Sequence, residues 1–220
     1  MGVILAKKII SKIKNWNKKV VSIRNNQNFP IELSDNERIF LISYMKKSYS
    51  YLEFGSGGST FLALMKTEVS DVTSVESDNN WLEYLREWET IRNAEKCKRL
   101  RFISVDIGKT GAWGVPVEIE ENKYLFPNYS QAPFSENKRY NLIFIDGRFR
   151  VACALQTILH SDKDTKIIMH DFNNRPEYHK ILKFLDINDT IDSMAVFSVK
   201  DNYNKQDLLE LYEEYKYEYR

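Results

Sequence analysis

Acidic side chains recur in this 220-residue chain where short apolar runs end: Glu53, Glu76, Asp106, Asp146 and Asp171. Any one of them is ordinary, because turns and helix caps favour acids. Their repetition at the same phase of the pattern is not. In an open parallel sheet a ligand sits at the carboxyl ends of the strands, so a series of strand-end acids makes an acidic rim. Such a rim repels phosphate-rich ligands and suits a cationic one rich in hydroxyl and amine donors.

The first acid opens the loop Glu53-Phe54-Gly55-Ser56-Gly57-Gly58-Ser59. Gly55 and Gly57 permit a tight turn and close approach of a ligand to backbone, and Ser56 and Ser59 lie in the same loop. Glu76, followed by Ser77, comes about twenty residues later, where an acid accepts hydrogen bonds from both ribose hydroxyls. A dinucleotide fingerprint asks for Gly or Ala at position 60, which is Thr60, and no Gly-Lys-Ser/Thr run of a Walker loop occurs. Further along, His170 and Asp171 end one apolar run and Asp146 another. His170 titrates in the range useful to a general base; the alternative is a hydrogen-bonded interior histidine beside a loop-ordering Asp171. His160 and His179 read as structural. Arg148, Arg150 and Arg175 follow the same strand ends. Their forked guanidinium groups suit an anionic acceptor such as a phosphorylated or uronic sugar, or else neutralise the neighbouring acids.

These side chains meet only if alternating strands and helices bring the strand ends together. The texture from residue 50 onward meets that need. Apolar runs at 51–54, 72–75, 100–105, 140–145, 166–169 and 193–199 read as strands, mostly continuous rather than alternating, as in a sheet covered on both faces. Helical spacing marks 59–66, 80–94, 176–185 and 205–218. Ser34 with Glu37 three residues on is a capping box that opens a helix over 34–48. Residues 107–139 interrupt the rhythm; a stretch this long inside a compact domain is functional or disordered. Its Trp113, Tyr124, Phe126, Tyr129 and Phe134 favour an ordered lid or acceptor wall, with Trp113 and Tyr129 as stacking faces for a sugar.

The motifs EFGSGGS, TSVESD, SVDIG and LIFIDG, carrying Glu53, Glu76, Asp106 and Asp146, resemble those of class I S-adenosylmethionine-dependent methyltransferases over about residues 50–200. The resemblance implies a doubly wound α/β fold with a mainly parallel seven-stranded sheet whose last strand is antiparallel. It also implies that Gly55 and Gly57 pass the methionine moiety, Glu76 holds the ribose, and Asp106 sits by the adenine amino group. Within the class the chain looks most similar to catechol-type small-molecule O-methyltransferases. Its runs LIFIDGRFRVACAL and IIMHDFNNRPEYH resemble bacterial members linked to surface polysaccharide. Catechol-type enzymes hold Mg2+ with an Asp after the fourth strand and an Asp-Asn pair after the fifth. Asp146 and Asp171 match, but Phe172 stands where the Asn belongs, with Asn173 one place on, so metal independence is expected. Base-methylating enzymes carry Asn/Asp-Pro-Pro-aromatic after the fourth strand. Asp146-Gly147-Arg148-Phe149 lacks both prolines, which disfavours a nucleic-acid substrate.

The length suits one α/β domain, read as residues 49–220 behind a helical extension over 1–48. Net charge is +1, which predicts no global attraction to nucleic acid or membrane. Residues 3–24 nevertheless read as a basic amphipathic helix, with Lys7, Lys8, Lys12, Lys14, Lys18, Lys19 and Arg24 around an apolar stripe. Three roles are open to it: packing on the domain, a peripheral membrane contact, or an oligomer contact. Cys97 and Cys153 form no CxxC pair and read as inert thiols. With no secretion signal and no apolar span of membrane length, the expected compartment is the cytoplasm. The expected activity is S-adenosylmethionine-dependent O-methylation of a glycan or other small, anionic acceptor. The competing readings are a dinucleotide-dependent oxidoreductase, disfavoured by Thr60 and the acidic rim, and a non-catalytic interaction module, disfavoured by the intact Gly55, Gly57, Glu76 and Asp146.

Overall fold

A strand covered on both faces is apolar along its whole length, and the central runs YLEF, LIFI and KIIM behave this way. The computed structural model describes residue 24 and residues 28–220. Its strands are β1 (Ser50–Phe54), β2 (Asp71–Glu76), β3 (Leu100–Ser104), β4 (Leu142–Ile145), β5 (Lys166–Met169), β6 (Leu185–Ile191) and β7 (Met194–Val199). They form one seven-stranded sheet in the order β3-β2-β1-β4-β5-β7-β6. β1 pairs in parallel with β2 and β4, β2 with β3, and β4 with β5, whereas β7 runs antiparallel between β5 and β6. This is the doubly wound, mainly parallel architecture expected from the sequence. The chain leaves β1 toward β2 and returns to β4 on its other side, so a crevice opens beyond the ends of β1 and β4.

Two apolar layers clamp the sheet. Helices α1 (Asp35–Met45), α2 (Gly58–Lys66), α3 (Asn79–Leu85) and α4 (Glu89–Lys96) bury Leu41, Met45, Phe61, Leu62, Leu82, Leu85 and Ile91 on one face, against Tyr51, Val72, Leu142 and Phe144. The other face, with Leu52, Phe54, Ile143 and Ile145, is covered by α5 (Ile119–Asn122), α6 (Pro127–Gln131), α7 (Arg150–His160) and α8 (Lys205–Tyr215). Each fully buried Leu or Phe contributes about 1.5–3 kcal/mol by leaving water. Ser34 caps α1 in the expected capping box with Glu37. Among the described residues no helix is long and apolar enough to cross a membrane.

Two sequence expectations need correction. The helix read over 80–94 is two helices, because Trp88 takes an extended conformation between them. There the backbone of Arg24 accepts from Glu89 N–H and donates to the Glu87 carbonyl, while the Trp88 ring packs on Phe29 at 4.8 Å. The helix read over 176–185 is a 3-10 helix, Pro176–Lys183. Its predicted last residue, Leu185, instead begins β6, an exposed edge strand of sequence LDINDTI whose polar residues hid it from an apolar-run reading. The basic helix read over 3–24 lies outside the described residues except for Arg24, whose guanidinium pairs with Glu87 at 2.9 Å.

The end of α2 and the turn into β2 are tied down by one side chain. Arg99 donates to the carbonyls of Leu64, Ala63, Thr67 and Val69 at 2.7–3.1 Å, closing orphan carbonyls of the helix terminus. Arg99→Ala is expected to lower unfolding stability by about 2–3 kcal/mol in urea titrations. A loss under about 0.5 kcal/mol, the scale of an ordinary surface substitution, would show that water replaces the guanidinium without cost.

Candidate active site

The crevice begins with the glycine loop. Gly55 sits at φ +94°, and a Cβ there would lie 2.8 Å from the Cα and N of Gly147; only glycine lets the loops after β1 and β4 touch backbone to backbone. The two-residue period of β1 sends Glu53 to the α2 side of the sheet, beside Tyr51. Glu53 is fully buried there and accepts hydrogen bonds from Tyr51 (2.9 Å), Ser59 (2.6 Å) and Thr60 hydroxyls. The Thr60 hydroxyl oxygen in turn accepts from Gly57 N–H at 2.9 Å. The residue that breaks the dinucleotide fingerprint is thus a strut of the loop. Glu53 was expected to touch cofactor; it lies beneath the loop and outside the cavity lining, because strand parity points it inward. Burial pushes its pKa up to about 7, against the hydroxyl hydrogen bonds that lower it.

Glu76 ends β2 with its carboxylate at the cavity. It accepts from the backbone N–H groups of Ser77 (2.7 Å), Asp78 (3.0 Å) and Ser56 (3.1 Å). Burial raises its pKa, opposed by those three donors. Asp78 caps α3, which places Trp81 to donate from Nε1 to the Ser56 carbonyl at 2.8 Å. A Cβ on Gly57 would meet nothing nearer than the Trp81 ring, at 3.8 Å, so Gly57 itself leaves open space beside Glu76. Asp106 does not join it: it is exposed, accepts from Gly108 N–H at 2.8 Å and lies outside the cavity lining. One of its carboxylate oxygens closes its own turn, and the other is left to solvent at the edge of the site. Ser56, Gly57, Ser59, Ser77, Asp78 and Trp81 do line the cavity.

The other end of this cavity of about 750 Å³ is built by the ends of β4 and β5. Asp146 and Asp171 are bridged by the guanidinium of Arg150, at 3.0 and 3.1 Å, and Arg150 is only 3% exposed. It also donates to the carbonyls of Gly147, Asp146 and His170. His170 Nδ1 lies 2.8 Å from Asp146, and its Nε2 lies 3.5 Å from Glu37. Burial would lower the His170 pKa, but the Asp146 hydrogen bond and the charges of Asp146, Asp171 and Glu37 raise it. Both nitrogens face carboxylates, which favours the protonated ring. Glu37 is 4% exposed and also accepts from the Ser193 hydroxyl at 2.5 Å; Ser193 and Ser34 hold its pKa down against burial. In the sequence it reads only as a capping-box acid, and nothing local signals the second role.

The 107–139 stretch divides between two tasks. Residues 112–115 line the cavity, with Trp113 at φ +60° and 76% exposed. Phe126 and Phe134 instead plug the core, and Tyr129 packs with them while also lining the cavity from below. Tyr129 is 1% exposed, packed on Phe54 and Phe149, so it is a floor residue rather than the stacking face expected. Arg175 pairs with Asp171 at 3.0 Å, and Arg148 lines the cavity beside it.

The residues do not fit the magnesium set described for catechol-type enzymes. A guanidinium fills the space between the two carboxylates, and Asn173 donates its amide to the carbonyls of Asp192 and Met194. Among the described residues no group of three or more His, Cys, Asp or Glu side chains is arranged to hold a metal ion.

No family model matches the sequence, and no curated protein matches it significantly. Solved structures do. A methyltransferase-like protein from Silicibacter pomeroyi is 26% identical over 86% of this chain and 98% of its own, with a TM-score of 0.73. An O-methyltransferase from Bacillus cereus, solved in complex with S-adenosylhomocysteine, is 18% identical over 79% of this chain and 85% of its own, with a TM-score of 0.51.

Glu53 makes the loop sensitive to pH. Its folded pKa near 7 exceeds the ordinary 4.5, so the folded state binds more protons between those values. Its stabilisation is complete below about pH 4.5 and is lost as pH rises through 7, on the order of 3 kcal/mol in all. Glu53→Gln keeps the shape without the charge, so the variant's stability should vary less with pH across 4.5–7 in urea titrations. An unchanged slope would mean that Glu53 stays ionised throughout.

Proposed function

We propose that this chain, whose fold is that of the class I S-adenosylmethionine-dependent methyltransferases, transfers a methyl group to an oxygen of a small acceptor, a glycan or related molecule. One observation carries the reading. The Glu76 carboxylate, held by three backbone N–H groups beside the glycine loop, shares one cavity with the Asp146–His170–Asp171 cluster. A ribose bound at Glu76 places the rest of an adenosylated ligand along Gly55 and Gly57, toward those carboxylates. The acids lining the cavity suit a sulfonium ligand and oppose a pyrophosphate, which argues against a dinucleotide-dependent oxidoreductase.

When bound, S-adenosylmethionine supplies a methyl carbon already activated by positive sulfur. The protein's part is alignment, exclusion of water and removal of one proton. The 112–115 turn walls the acceptor end. Asp146, at the cavity edge and oriented by His170 and Arg150, is the group placed to take the acceptor's hydroxyl proton. As the C–O bond forms, the C–S electron pair stays on sulfur and S-adenosylhomocysteine leaves. The Arg150 guanidinium supplies the positive charge between Asp146 and Asp171, so the reaction needs no Mg2+. A cytoplasmic enzyme whose basic residues 3–24 touch an anionic membrane or a second copy of the chain would fit the charge of that segment.

Calorimetry should detect binding of S-adenosylmethionine or S-adenosylhomocysteine, and Glu76→Ala should weaken it by about 1–3 kcal/mol. No binding, or tighter binding of NAD, would overturn the assignment. Methyl transfer should survive a chelator; activity abolished by EDTA and restored by Mg2+ would refute the role given to Arg150.

A further inference from the structure

One arginine at the acceptor end stands outside the ion pairs of its neighbours. The cations there are Arg148, Arg150, Arg175 and His170; the acids facing them are Asp146, Asp171, Glu37 and, beside Arg175, Glu177. Arg150 takes both aspartates, Arg175 shares Asp171, and His170 lies between Asp146 and Glu37. Arg148 has no ion-pair partner among the described residues, and its Nε is buried without any hydrogen bond. The other acids lining the cavity, Glu32, Glu76 and Asp78, belong to the glycine-loop end: Ile31 packs on Gly58, and the backbone donors described above hold Glu76. Arg148 is not a solvated surface arginine. Burial, together with the neighbouring Arg150 and Arg175, lowers its pKa. Its stem lies under the 112–115 turn, 3.8 Å from where a Cβ on Gly114 would stand, with the Ser77 hydroxyl 3.6 Å from the same point. The Nε is closed off from the cavity, so an anion there would be met by the donors of Arg148 that do reach the cavity, where a charge-assisted pair is strong.

We propose that Arg148 is the specificity residue of the acceptor pocket and that the acceptor bears a carboxylate or phosphate close to the methylated oxygen. The inference rests on the methyltransferase reading for the identity of the pocket. An arginine without an acid partner suits one anionic group, which its guanidinium fork can grip. The paired Arg175 adds little to it. Trp113, exposed on the neighbouring turn, offers the adjoining flat face.

The test uses the full chain saturated with S-adenosylhomocysteine and titrated with D-glucuronate, glucose 6-phosphate and glucose. At least one of the two anions should bind tenfold or more tightly than glucose. Arg148→Gln should erase that preference, and Arg148→Lys should keep part of it, while S-adenosylhomocysteine affinity stays within twofold in both. A preference that survives Arg148→Gln, or no preference in the unsubstituted protein, overturns the proposal. So does an equal loss of S-adenosylhomocysteine affinity, which would assign Arg148 to the amino-acid carboxylate of the cofactor. Failure of the unsubstituted protein to bind S-adenosylhomocysteine would sink the methyltransferase reading instead; the anion preference, repeated without it, still tests Arg148.

Discussion

The Arg150 guanidinium is the constraint on which the reacting end of this molecule depends. It is almost wholly buried, yet it reaches two carboxylates and three backbone carbonyls. Those partners belong to the loops after β4 and β5. Burying a lone cation would be prohibitive, and only a full set of acceptors makes it tolerable. Removing one partner of such a pair typically costs about 3–5 kcal/mol because the other charge stays buried. The same set of bonds that meets this demand also sets the positions of Asp146, His170 and Asp171, so stability and site geometry are one problem here.

The glycine-loop end is solved differently. Its strut is Glu53, held by hydroxyl donors from β1 and α2 rather than by a cation. A carboxyl that is neutral over part of the physiological range can sit under the loop without a counter-charge, which leaves the floor above it free for a positively charged ligand. The cavity therefore has an acid-lined end at Glu76 and an end with one unmatched cation at Arg148. Such a polarity orients an elongated ligand pair better than uniform charge would.

Three of the seven non-glycine residues with positive φ among the described residues fall around this cavity. Trp113, Phe149 and Asp171 all have positive φ, a conformation that disfavours side-chain-bearing residues. Trp113 and Asp171 line the cavity and Phe149 precedes α7, whose first residue is Arg150. Strained residues persist where surrounding contacts over-determine them. The buried Phe149 ring among Phe126 and Tyr129 and the Asp171 ion pairs supply those contacts.

What the sequence by itself determined is whatever depends on near neighbours in the chain. The apolar runs of β1, β4 and β5, the capping box at Ser34 and the glycine loop before α2 follow from periodicity and turn chemistry, and with them the class of fold. β6 escaped because an edge strand needs no apolar face, and the break at Trp88 because its partners, Arg24 and Phe29, are some sixty residues away. The site divided along the same line. Glu76 was legible from its spacing to the loop; the inward turn of Glu53, the self-closure of Asp106 and the burial of Tyr129 were not. Nor was the approach of Glu37 to His170, or which of three arginines would be left without an acid. Spacing along the chain says which residue types reach a strand end. Only the packed structure decides whether a carboxylate there meets a donor, a cation or the cavity, because that choice is made by charges and hydroxyls distant in sequence competing for the same few ångströms.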